Sequence, residues 1–131
     1  MKAVVILLFA ALLFAEPVRD QAASSGEAWL QLIDNGKYAA SWKEASTYFR
    51  SRITEKTWVS TVQGVRAPLG ARSSRKLQNI TFTKTLPGAP DGSYAVMVFQ
   101  TSFQNKASAA EQLTVMADGD QWRAAGYHFI R

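Results

Sequence analysis

Cysteine is absent from the 131 residues, proline occurs only four times, and charged residues make up only 19% of the chain. Without thiols, the chain forms no disulfide framework, zinc–thiolate site or iron–sulfur cluster. An apolar fraction of 47% is too high for an intrinsically disordered chain. What remains is one domain whose hydrophobic core stabilises it without covalent or metal cross-links.

The first fifteen residues have the pattern of a secretory signal peptide. Lys2 supplies a positive charge, an uninterrupted apolar run covers residues 3–15, and Glu16 follows. This run is shorter than the ~20 residues that span a bilayer. We expect cleavage after Ala15, with cleavage after Ala23 as the alternative because Leu13 is large for the minus-three position. The sequence therefore predicts a periplasmic or secreted protein with no stable membrane anchor after cleavage.

The rest of the chain begins with a polar linker at residues 16–25, followed by a single domain at residues 26–131. Helical periodicity dominates the first half of that domain, and the candidate caps of its helices are Ser24, Ser41 and Thr54. All four tryptophans lie on apolar stripes, three on these helices and Trp122 on a later strand, so we expect them in the core. The predicted helices cover residues 24–35, 37 or 41–52 and 54–67, and the stripe of the third consists of Trp58, Val62, Val65 and Leu69.

After Gly70 the apolar period changes from helical spacing to the alternation of strands. Short connections between consecutive strands produce an antiparallel meander. The fold class is therefore α+β, with N-terminal helices packed on one face of a four-stranded antiparallel sheet in two layers. The predicted strands cover residues 76–86, 94–103, 110–117 and 121–130, with Asp118-Gly119 as a two-residue hairpin turn.

Four separated stretches resemble one bacterial family in the same order along the chain. They are WLQLIDNGKYAASW at residues 29–42, VRAPLG at 65–70 with Ser74-Arg75, LPGAPDGSY at 86–94, and Trp122-Arg123 with Gly126-Tyr127. The family is the domain of unknown function 4019 (DUF4019). The resemblance implies a small exported bacterial protein of uncharacterised activity. The order of elements also resembles cystatin-like and nuclear-transport-factor-2-like folds, a likeness of architecture alone.

The positive charge is concentrated in residues 50–76, which contain seven basic residues and one acidic residue. Arginine guanidinium groups near a turn can bind a phosphate, a sulfate or a carboxylate through paired hydrogen bonds. The alternative interpretation is that this stretch is only a solvent-exposed connection between the last helix and the sheet. Trp58 is the only aromatic residue in this stretch, so nucleic acid is not an expected partner. An unknown small ligand or an envelope component is expected instead. The candidate anion-binding residues are Arg66, Arg72, Arg75 and Lys76.

Catalytic machinery and cofactor sites are not expected. His128 is the only histidine, so neither a metal triad nor a serine–histidine pair with a Gly-x-Ser-x-Gly elbow is predicted. We place His128 on the same strand face as Trp122, Ala124 and Ile130. The remaining candidate acids are assigned to helix ends and turns: Asp34, Glu44, Asp118 and Asp120.

The favoured function is therefore a non-catalytic domain that binds a ligand or an envelope partner. The alternative is a small enzyme of the ketosteroid-isomerase kind, in which a pocket carboxylate moves a proton and a phenol stabilises the oxyanion. Residues 94–99 are apolar on both strand faces, which suggests a homodimer formed sheet to sheet. The enzyme would combine Asp34 with Tyr38, Tyr48, Tyr94 or Tyr127.

Overall fold

Helices precede a four-stranded antiparallel sheet in the computed structural model, which describes residues 2–131 and their side chains from Pro17 onward. The sheet order is β1-β2-β3-β4, so the α+β class and the meander are confirmed. The side chains of the predicted signal peptide lie outside the described residues. No helix among the described residues combines the length and apolarity needed to cross a membrane. The elements are α1 (Lys2–Asp34), α2 (Tyr38–Glu44), α3 (Thr47–Arg52), α4 (Glu55–Arg66), a 3-10 turn (Ala67–Leu69), β1 (Arg72–Thr83), β2 (Tyr94–Phe103), β3 (Lys106–Asp118) and β4 (Gln121–Ile130).

Helix α1 does not begin at the predicted Ser24 cap. Residues 16–25, predicted as a polar linker, are helical, and Ser24 is an exposed residue inside α1. The reason is packing, since Ala22 is fully buried and Gly26 lies against the sheet. A Cβ atom on Gly26 would come within 2.5 Å of Met97 Cε. The helix therefore continues along the sheet through the segment predicted as linker.

The second predicted helix is divided into α2 and α3. Ser46 ends the break and caps α3, because its hydroxyl accepts a hydrogen bond from Phe49 N at 3.1 Å. The backbone N–H of Ser46 donates to Ala124 O on β4 at 2.8 Å. This bond to the sheet holds the chain out of helical geometry between the two helices. The predicted cap of α4 at Thr54 is confirmed.

Two tryptophans anchor the helices to one another. The indole N–H of Trp29 donates to the carbonyl of Ser41 at 2.8 Å, and that of Trp58 donates to the Ser41 hydroxyl at 2.9 Å. Both indoles are almost completely buried, with ring centroids 6.0 Å apart. The core position predicted for them is confirmed, whereas Trp42 and Trp122 are half-buried at its margin. Ser41, proposed as a cap, is instead a buried acceptor.

A β-bulge in β4 changes which residues face the helices. Thr114 pairs with Gly126 and Val115 pairs with Ala124, so Ala125 has no opposite residue. The bulge places Ala124 in the core and His128 on the outer face, where it is exposed. The expectation that these two residues share a face was wrong, because strict alternation fails across a bulge.

The outer face of the sheet contains partly exposed apolar side chains. Val96 and Val98 are half-buried there, while their neighbours on the inner face are fully buried. The alternation along β2 therefore leaves an apolar strip directed away from the helices. A homodimer through this strip stays a prediction.

Candidate functional site

Three of the four predicted cations converge on one carboxylate, Asp34, the last residue of α1. Arg66 Nη2 donates to Asp34 Oδ1 at 2.9 Å, and Arg72 Nε donates to Oδ2 at 3.0 Å. Arg75 contributes two further bonds of 2.7 and 2.9 Å. A helix C-terminus carries partial negative charge, so a carboxylate there requires cations. The arginines supply them.

Strand alternation separates the fourth predicted cation from this group. Arg75 pairs with Thr101 on the inner face, and the next residue, Lys76, pairs with Gln100 and is exposed on the outer face. Side chains at successive strand positions point to opposite faces. Lys76 therefore does not join the arginines at Asp34.

Glu111 is a second buried acid, which the sequence analysis did not select. Its side chain is 0% exposed and lies in the middle of β3 on the inner face. It accepts hydrogen bonds from Arg75 Nε at 2.7 Å, from the Thr101 hydroxyl at 2.6 Å and from the Tyr127 hydroxyl. One signal was available, because alternation places Glu111 in register with Ala109, Leu113 and Val115 on the apolar face. We call Asp34, Arg66, Arg75, Glu111 and Tyr127 the ion network.

The contacts within the ion network shift the pKa values of three of its side chains. Burial raises the pKa of Asp34, but hydrogen bonds and charges from Arg75 and Arg66 outweigh burial and hold that pKa below its ordinary value. Burial lowers the pKa of Arg75, and the two carboxylates more than reverse that effect. For Tyr127, burial and the adjacent carboxylate of Glu111 both raise the pKa of the phenol. These pKa shifts favour an ionised Asp34 and a protonated Tyr127 phenol.

Arg66 takes a core position that the predicted stripe assigned to Val65. Its side chain is 4% exposed and its guanidinium lies 4.7 Å from the centre of the Phe103 ring, whereas Val65 is 44% exposed. Pairing with Asp34 and stacking on an aromatic ring make this burial tolerable. Within the described part of the chain, Arg66 Nε and Nη1 have no hydrogen-bond partner.

An apolar groove separates α4 from the edge strand β4. One cavity of about 320 Å³ lies in it, and the groove continues past Val65 and Phe129 into an open depression of about 760 Å³. The helical residues recur at spacings of three and four, so they form one face of α4. The smaller cavity is lined by Trp58, Thr61, Val62, Val65, Tyr127, His128 and Phe129.

Two of the four phenols proposed as partners of Asp34 bond to backbone carbonyls between β1 and β2 instead. Tyr48 donates to Gly88 O at 3.2 Å, and Tyr94 donates to Pro90 O. The phenol that does meet a buried carboxylate is Tyr127, and its partner is Glu111. The structure thus contains an acid–phenol pair of the kind that the enzyme alternative requires, formed by a different acid.

The other candidate acids have local structural roles. Asp118 accepts hydrogen bonds from the backbone N–H and the hydroxyl of Thr47 at 2.8 and 3.0 Å, and these bonds lower the pKa of Asp118. Glu44 is mostly exposed and lies 3.5 Å from Arg123. Among the described residues, no three histidine, cysteine or acidic side chains lie close enough together to hold a metal ion.

Comparison with known protein families identifies the family to which the chain belongs. The profile described as "Protein of unknown function (DUF4019)" matches residues 25–127, which contain the helices from the middle of α1 onward and most of the sheet. The chain belongs to the DUF4019 family. No curated protein matches it. The DUF4019 match includes every residue of the ion network and five of the seven residues that line the smaller cavity of the groove.

Proposed function

We propose that this DUF4019 protein is exported and is a non-catalytic binding domain whose ligand occupies the groove between α4 and β4. Export is supported by the positive charge at Lys2, the apolar run over residues 3–15 and the polar turn to Glu16. The observation that carries the binding site is the apolar cavity of about 320 Å³ beside Tyr127 and Phe129. Ligand sites in proteins are concave and mostly apolar, and the volume falls at the small end of their usual range.

The groove also offers polar groups at its wall. Because β4 is an edge strand, half of its backbone N–H and C=O groups have no neighbouring strand to bond. Thr61 adds a hydroxyl from α4. An apolar ligand with one or two polar atoms therefore fits the lining better than a highly charged ligand.

The arginines are less suited to hold an anion than their sequence clustering indicates. Arg75 donates to both Asp34 and Glu111 through all three of its nitrogens. Arg72 differs, because it meets Asp34 through Nε alone and its side chain is 35% exposed. Anion binding therefore rests on Arg72, as a contribution secondary to the groove.

A cavity-filling substitution tests the groove. Val65→Trp places an indole in the lining, and Ser60→Trp adds the same side chain at an exposed position of α4. With the neutral fluorescent probe 1-aminoanthracene, we expect V65W to weaken binding at least tenfold and S60W to change it less than twofold. Equal binding by both variants, or no binding by the wild type, would contradict the proposed site.

One observation favours a second candidate, a proton-transfer enzyme: the contact between Glu111 and Tyr127. Catalysis would require a substrate to reach this carboxylate. However, donors occupy both oxygens of Glu111, and this residue does not line the groove cavity. Exchange of the α-protons of cyclohexanone in D₂O, followed by NMR, separates the two functions. The enzyme candidate requires acceleration that Tyr127→Phe abolishes, whereas the binding domain gives none.

A further inference from the structure

We infer that the signal peptidase cleaves this chain after Ala15, so that the mature protein begins at Glu16 and keeps the whole sheet-packing part of α1. This inference rests on the export included in the proposed function. The sequence rule does not decide between the two candidate sites. Leu13 and Gln21, at the minus-three positions for cleavage after Ala15 and Ala23, are both large.

Packing decides against the later site. Val18, Ala22 and Gly26 recur every four residues and therefore lie on one face of α1. Ala22 is fully buried and belongs to the hydrophobic core. Cleavage after Ala23 would remove it and uncover the apolar surface on which it lies.

Val18 closes the end of the sheet beyond Ala22. It lines a cavity of about 250 Å³ together with Phe82 and Trp122, whose rings meet edge to face with centroids 6.0 Å apart. Phe82 is 43% exposed even with Val18 in place. A chain that starts after Ala23 would lose Val18 from this cavity, whereas Trp122 would keep Ala28 and Leu32 of α1 beside it.

Pro17 supports the earlier site. In the uncut chain, Pro17 lies inside α1, where it lacks the N–H for an intrahelical bond and its ring crowds the preceding turn. After cleavage at Ala15, Pro17 becomes the second residue, and proline is favoured in the first turn of a helix. The residue that disturbs the uncut helix thus suits the start of the mature one.

The new terminal charge does not separate the two sites, because cleavage at either one places an ammonium group at the positive end of the shortened helix. The later site would place it at Ser24, two residues before the tightly packed Gly26. The family match begins at residue 25 and does not separate the two sites. The distinction comes from the complete burial of Ala22, while Val18, at 46% exposure, only borders the sheet.

The first experiment reads the processed N-terminus. The full chain with its own leader is produced in a Gram-negative host, and intact mass is measured on the exported protein. We expect a mass that begins at Glu16 for the wild type and for Ala23→Leu, whereas Ala15→Leu accumulates uncut. A mature chain beginning at Ser24, or a block of processing by A23L, would overturn the inference. A chain that is not exported would refute the proposed function instead.

The second experiment tests the packing in the mature protein. Ala22→Asp buries a charge against the sheet, and Gln21→Asp adds the same charge at the exposed neighbouring position. We expect A22D to lower the melting temperature by roughly 5–10 °C or more and Q21D by less than about 2 °C. Equal melting temperatures would show that this turn of α1 does not pack on the sheet and would remove the basis of the inference.

Discussion

The helix–sheet interface contains two adjacent regions of different chemistry, which meet where the ring centroids of Trp29 and Tyr127 lie 5.7 Å apart. In the first region, Trp29 and Trp58 bring large apolar rings whose single N–H groups both bond to Ser41. In the second, the ion network buries charges whose partners are one another, Arg72 and the hydroxyl of Thr101. A broken contact leaves a neutral donor without a partner in the first region, but an uncompensated charge in the second. A single substitution should therefore cost more free energy of unfolding in the ion network than in the tryptophan region, even if the two regions contribute similar net stability.

The largest expected effect is at Arg75. Arg75→Leu leaves Glu111 buried with only the neutral hydroxyls of Thr101 and Tyr127 as donors. Breaking a buried ion pair costs about 3–5 kcal/mol, so we expect the melting temperature to fall by roughly 10–20 °C. The control is Lys76→Leu on the opposite face of the same strand, which should change stability by less than about 0.5 kcal/mol. If the two variants melt together, the ion network does not determine stability.

A smaller effect is expected in the tryptophan region. Ser41→Ala removes the hydroxyl that accepts the indole N–H of Trp58 and leaves a buried neutral donor unpaired. Such a donor costs about 1–3 kcal/mol. Ser60→Ala on the exposed face of α4 is the matched control and should be near neutral. Denaturant titration measures both variants, and a loss for S41A as large as that for R75L would erase the contrast between the two regions.

The fold could be predicted from the sequence because its signals are local. Alternation in residues 76–86, the apolar run over 94–99 and the turn formers between strands are sufficient to predict the meander and its order. The break between α2 and α3 was not predictable, because it depends on the bond from Ser46 N to Ala124 O across the domain. The bulge at Ala125 was missed for the same reason. Where a tertiary contact determines the local backbone conformation, the periodicity of the sequence does not predict that conformation.

The candidate site was only partly predictable. The charge pattern indicates the arginines at positions 66, 72 and 75, but it identifies neither Asp34 as their partner nor Glu111 as a buried acid. Charge density along the chain shows where cations accumulate and does not show which acids neutralise them. The cavity depends on the distance between α4 and β4, for which neither periodicity nor charge gives a signal.

Acid titration separates the two regions, because the ion network contains buried carboxylates whereas neutral hydrogen bonds hold the tryptophan region. The pKa of Asp34 lies below its ordinary value of 3.8 in the native protein. The unfolded chain therefore takes up the proton first, so this contribution to stability is full above the ordinary pKa and is lost as pH falls through the native pKa. Each unit of difference is worth about 1.4 kcal/mol. Unfolding measured between about pH 6 and pH 3 should show a flatter pH dependence for Asp34→Asn than for the wild type, and parallel curves would contradict this role.

The smallest expected effect concerns anion binding. The buried arginines of the ion network are already paired with carboxylates, so an anion can bind only at the exposed arginine beside them. Arg72 is 35% exposed and meets Asp34 through Nε alone, while Lys76 lies on the other face of β1. Exposed charges contribute about 0.2–1 kcal/mol each, so Arg72→Ala should weaken heparin retention by at most about fivefold, and Lys76→Ala should have a similar effect. Because the two side chains do not share a face, the double variant should show the sum of the single effects. A loss clearly greater than that sum would mean that one anion bridges Arg72 and Lys76, as the clustering in the sequence first indicated, and that β1 changes its register or twist when the anion binds.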